Sequence, residues 1–149
     1  MTSINITDPT KLGILSNQIL DMLKQKGYQQ LKLNPDNTIF FNDRTTYYTL
    51  FIEQEHPQDT IFIQIHVRFA DNLSHLTNTQ ILEVLNKVNS SIKGIKLSYD
   101  FNISKVNMSA ETWITNINGF HSYFDQAMKS FTTAIIFYSR GVHPDLFPF

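Results

Sequence analysis

Cysteine is absent from this chain, which excludes disulfides, thiolate nucleophiles and cysteine-based zinc sites. Glycine is scarce: five scattered residues cannot form a glycine-rich phosphate cradle, and no serine sits in a nucleophile-elbow context. Neither sign of charge dominates, because 12 Lys and Arg meet 13 Asp and Glu for a net charge of -1. With no basic run to neutralise a phosphate backbone, nucleic acid is not an expected partner. No apolar run approaches the ~20 residues of a membrane span, and the first residues carry no cationic flank ahead of an apolar stretch. A soluble, cytoplasmic chain without a membrane partner is the expectation.

What the chain does have is apolar residues in periodic order. At 149 residues and 42% hydrophobic content it has the size of one domain with its own core. The reading is a single domain over 1–149, with a core at about 9–138 and a tail at 139–149. The cleanest pattern is Thr60 to Phe69, where Ile61, Ile63, Ile65, Val67 and Phe69 alternate with Phe62, Gln64, His66 and Arg68. That period of two predicts a half-buried strand at the centre of an antiparallel sheet.

The remaining elements follow in order. Asp8 and Pro9 suit the start of a helix, Leu12, Leu15, Ile19, Met22 and Leu23 form its stripe, and Gly27 supplies a left-handed stop after Lys26. Asn34 to Asn37 reads as a turn, Thr38 to Phe41 as a first strand, Asn42-Asp43 as a turn and Thr45 to Gln54 as a second strand. Pairing Ile52 with Ile61, Leu50 with Ile63 and Tyr48 with Ile65 across the loop at residues 55–59 puts these side chains on one face. It sets Phe51 opposite Phe62, Thr49 opposite Gln64 and Tyr47 opposite His66 on the other.

Thr77 and Gln80 make a capping-box signature before the stripe Ile81, Leu85, Val88 and Ile92, and Gly94 ends that helix. Ile95 to Phe101 and Val106 to Ile114 alternate as two further strands around an Asn102 to Ser104 turn. Asn118 is the expected cap of a long last helix with Phe120, Phe124, Ala127, Phe131, Ala134 and Tyr138 at helical spacing, ending before Gly141. The fold class is therefore α+β, a two-layer α-β-β-β-α-β-β-α chain with a five-stranded antiparallel sheet covered by the first and last helices.

Gly27-Tyr28, the three-strand meander, the segment Leu82 to Asn89 with its paired asparagines, and the strand pair running into an amphipathic helix resemble the YbjN-type family of bacterial sensory transduction regulators. That family looks like the type III secretion chaperone fold. Over residues 10–138 the resemblance implies a sheet order of one, two, three, five, four, no catalytic residues and a tendency to pair as a homodimer.

Five histidines invite a metal reading. His121 and Asp125 lie four apart on the last helix, but two ligands fall short of the three or four that zinc takes. His56 and His143 adjoin prolines and His75 precedes a helix, so surface roles are expected and no metal or cofactor is assigned. The candidate binding face is instead the polar side of the central strands, Tyr47, Phe51, Phe62, Gln64, His66 and Arg68, with Trp113 added by the strand order that the resemblance implies. Aromatic contacts with an arginine anchor suit a protein or peptide partner. The expected function is a non-enzymatic, protein-binding regulator or chaperone-like domain that uses this face, or a groove beside the second helix, to hold another polypeptide. The competing expectation is a small-ligand or enzymatic cleft around His66, Arg68 and Glu111.

Overall fold

In this computed structural model residues 9–54 and 60–146 are described; the Asp8 cap, the loop at 55–59 with His56, and the last three residues of the expected tail lie outside them. The elements are α1 (Pro9–Gln25), β1 (Gln29–Leu33), β2 (Ile39–Asp43), β3 (Thr46–Gln54), β4 (Ile61–Ala70), α2 (Asn78–Ser91), β5 (Lys96–Asp100), β6 (Lys105–Ile114), α3 (Ile117–Val142) and a short 3-10 turn at Pro144–Leu146. The strands form an antiparallel sheet in the order β1-β2-β3-β4-β6-β5. The fold is α+β as expected, with the implied order, but with six strands instead of five. No helix among the described residues is long and apolar enough to cross a membrane.

The additional strand is β1. Its sequence Gln29-Gln-Leu-Lys-Leu offers two apolar residues in five, it lies at the sheet edge, and Gln30 takes a positive φ of 52° where the pairing with β2 slips. An edge strand with a bulge need not alternate, so periodicity does not mark it.

The chain packs as two compact units, Met1–Val67 with Glu111–Tyr123 and Arg68–Ala110 with Phe124–Phe149. In the first, α1 packs against β1, β2 and β3 and buries Leu12, Leu15, Ile19, Met22 and Leu23. Its end is a full Schellman motif: Tyr28 N–H donates to Leu23 O at 3.1 Å, Gly27 N–H to Lys24 O at 3.0 Å, and Gly27 adopts φ 88°. The turn after β2 falls at Arg44, with φ 59°, between paired Asp43 and Thr46; Asn42 and Asp43 belong to the strand.

The β3–β4 pairing corrects the expected register by two residues. Ile52 faces Ile63, Leu50 faces Ile65 and Tyr48 faces Val67, while Phe51 faces Gln64, Thr49 faces His66 and Glu53 faces Phe62. A slip of two preserves which face each side chain takes, so the burial pattern alone could not distinguish the two registers. Ile39, Phe41, Leu50, Ile52, Ile61, Ile63 and Ile65 are buried on the shared inner face.

In the second unit α2 starts at Thr77 with both capping-box bonds formed, Gln80 N–H to Thr77 Oγ1 at 3.1 Å and Thr77 N–H to Gln80 Oε1 at 2.9 Å. Asn89 closes the helix onto the edge strand: its Oδ1 accepts from Leu97 N–H at 2.7 Å and its Nδ2 donates to Leu97 O at 3.0 Å. A side-chain amide thus occupies backbone groups that would otherwise face outward from β5, a common way of blunting a sheet edge.

Two boundaries of α3 differ from expectation. Asn116, not Asn118, is the cap, its Oδ1 accepting from Asn118 N–H at 3.0 Å and Gly119 N–H at 3.2 Å. Gly141 does not stop the helix, which runs to Val142. Glycine stands there for closeness: a Cβ on Gly141 would lie 2.6 Å from Val84 Cγ1 on α2.

Candidate functional site

The solvent-side residues of the first unit follow from strand alternation. Because Ile39, Phe41, Tyr48, Leu50, Ile61 and Ile63 point inward, Phe40, Tyr47, Phe51 and Phe62 point to the other face. Tyr47 is 63% exposed, Trp113 52% and Phe40 42%, whereas Phe51 and Phe62 are half-buried among their neighbours. Phe62 and Trp113 pack with centroids 5.2 Å apart, and Gln64 Nε2 donates to Glu111 Oε2 at 3.2 Å.

Six of the seven expected site residues, Tyr47, Phe51, Phe62, Gln64, His66 and Trp113, fall in this unit, and Arg68 falls in the other. Arg68 is exposed, and its Nε donates to Asn107 Oδ1 at 2.7 Å. Of the three residues in the cleft reading, Glu111 and Arg68 are therefore held by neighbouring amides. Sequence reasoning missed Phe40. The signal was present, since Ile39-Phe40-Phe41 cannot all face one side of a strand.

It also missed a polar cluster in the second unit. Tyr138, 1% exposed, donates its hydroxyl to Asp71 Oδ2 at 2.7 Å. His143 Nε2 lies 2.9 and 3.0 Å from the two Asp71 oxygens, and Tyr99 donates to the Asp71 carbonyl at 2.9 Å. His75 Nε2 meets the carbonyl of Val142 at the end of α3, and its ring lies 5.2 Å from that of His143. Each Nε2 faces an oxygen acceptor, so a proton on Nε2 completes both hydrogen bonds. The cluster ties the C-terminal turn of α3 to the segment after β4, and donors there suit the free carbonyls of a helix end. These partners are 67 and 72 positions apart, beyond the reach of any local spacing rule.

Three tyrosines titrate late. Burial pushes the Tyr48 hydroxyl up to about 12, with the Asp43 charge and Tyr28 adding to it. Burial followed by the Glu111 charge raises Tyr123, and burial followed by the hydrogen bond to Asp71 raises Tyr138. These shifts come from packing and do not prepare a nucleophile. Among the described residues no three His, Asp or Glu side chains form a group that could hold a metal ion. A groove of about 590 Å³ lies between α2 and α3, with Val84, Val88 and Phe137 in its walls.

This geometry defines a YbjN-like α+β fold. The crystal structure of YbjN, a candidate transcription regulator from E. coli, is similar at a TM-score of 0.51 and 12% identity, covering 86% of this chain and 92% of that one. At that identity the likeness establishes the fold alone. No family model matches the chain, and no curated protein matches it.

Proposed function

We propose that this chain is a non-enzymatic, cytoplasmic protein-binding domain, a regulator of the YbjN type, that holds another polypeptide on the outer face of its sheet. The observation that carries the reading is the exposed aromatic group Phe40, Tyr47 and Trp113, with Phe51 and Phe62 between them, on the face opposite the one α1 covers. Aromatic side chains bury much area for little lost side-chain freedom, which is why they dominate recognition surfaces. The YbjN description as a candidate regulator supports the same class.

The test is affinity capture from a native bacterial lysate with the wild type and with a Phe62→Ala, Trp113→Ala variant, read by mass spectrometry. A partner retained by the wild type and reduced at least tenfold by the variant is expected. A partner retained equally by both would move the binding surface elsewhere. Light scattering on the same samples separates a second copy of the chain: a mass of twice 17.3 kDa that the variant halves would make the face a homodimer interface.

A further inference from the structure

Three aromatic side chains on the sheet face, Phe62, Phe51 and Phe40, lie on one diagonal across neighbouring strands. Trp113 on β6 packs on Phe62 on β4. Phe62 faces Glu53, and Phe51 lies on the same strand as Glu53 and two residues along from it. Phe40 on β2 faces Thr49, two residues further in the same direction. Each step from Phe62 to Phe51 to Phe40 therefore crosses one strand and advances two residues. With strands about 4.8 Å apart and about 3.4 Å per residue, each step is about 8 Å. Tyr47, two residues beyond Thr49 on β3, stands beside the far end of this diagonal, one strand back from Phe40.

We propose that this diagonal stripe binds a proline-rich segment of a partner in the polyproline II conformation; the proposal rests on the reading of the sheet face as a polypeptide-binding surface. A polyproline II chain rises about 3.1 Å per residue with three residues per turn, so one side chain in three returns to the same side at about 9 Å. That period is closer to the step between aromatic rings than the ~6.8 Å at which an extended strand repeats a face. The face of a sheet also offers no free backbone groups, because its N–H and C=O groups lie in the sheet plane and are paired between strands. A strand-like ligand would leave its own amides without partners there. Proline has no N–H to satisfy, and its ring stacks on aromatic faces. Its carbonyls need donors only, and the exposed Tyr47 hydroxyl and the indole N–H of Trp113 supply that chemistry. The chain's net charge of -1 and the Glu53 and Glu111 carboxylates beside the stripe disfavour a stacked single-stranded nucleic acid, the other ligand that aromatic stripes suit.

Trp113 is the single tryptophan of the sequence and packs on Phe62 at the near end of the stripe, so its emission reports occupancy there. The full chain is titrated with decaproline, with a mixture of proline-free decapeptides, with a Gly-Ser decapeptide and with a decauridylate. A saturable blue shift with decaproline alone is expected, weakened at least tenfold by Phe51→Ala and by Phe40→Ala in proteins whose circular dichroism and melting match the wild type. No response to decaproline overturns the proposal. If the proline-free mixture shifts the emission instead, the sheet face still binds polypeptide and only the polyproline assignment fails. A response to decauridylate alone, or to none of the four, removes support from both. An emission that shifts with protein concentration alone, in step with a doubling of mass, gives the stripe to a second copy and overturns the proposal as well.

Discussion

Ile63→Asp abolishes the cooperative fold. Ile63 is fully buried at the middle of β4, paired with Ile52, and between Ile61 and Ile65 on the face that forms the core. An aspartate there has no cation to pair with among those aliphatic neighbours, and it removes a side chain from a closely packed layer. Burial of an unpaired charge and loss of packing together cost more than ~3 kcal/mol, a large part of the stability of a domain this size. Far-UV circular dichroism and thermal melting check it. A variant with wild-type spectrum and melting temperature would mean that the inner face of β4 is assigned wrongly.

Asp71→Ala has the second largest expected effect, for a different reason. The substitution strands the buried Tyr138 hydroxyl and removes both His143 contacts. A buried donor left without an acceptor costs about 1–3 kcal/mol, and the lost hydrogen bonds to a charged group bring the expected total to roughly 2–4 kcal/mol. Tyr138→Phe alone costs about 1 kcal/mol, because Asp71 keeps His143 and partial access to water. The double variant should be less destabilised than the sum by at least ~0.5 kcal/mol, since without the hydroxyl there is no orphaned donor. Urea denaturation of the four proteins completes the cycle. Strict additivity would show that the Tyr138–Asp71 bond contributes nothing to the fold.

Much of the fold was legible because apolar periodicity reports burial. The stripes of α1, α2 and α3 and the alternation of β3, β4 and β6 were read correctly to within a residue or two, since each presents one face to a core. Where burial is silent, the sequence was too. β1 lies at the edge and alternates poorly; the β3–β4 register slips by two without moving a side chain to the other face; and Gly141, read as a stop, is shaped by a tertiary contact with Val84. Asn116 and Asn118 both suit a cap by composition, and only backbone geometry chooses between them.

The candidate face divides in the same way. Tyr47 and Trp113 were legible because they alternate with core positions, and Phe40 could have been found by the same rule. The diagonal through Phe62, Phe51 and Phe40 depends on the true register, so the expected pairing of Phe51 directly with Phe62 concealed it. The Asp71, Tyr138 and His143 cluster depends on long-range folding, and neither composition nor spacing announces it.

The central claim is that the aromatic face of the sheet contacts another polypeptide. Photocrosslinking from within that face tests it most directly. A p-benzoylphenylalanine at position 47, and separately at position 113, is irradiated in living bacteria and compared with the same group at the exposed positions Ile14 and Leu82. The account predicts discrete protein adducts from positions 47 and 113 that are absent from 14 and 82. Adducts confined to position 14 or 82, or none from the sheet face while the protein is folded and abundant, would contradict it.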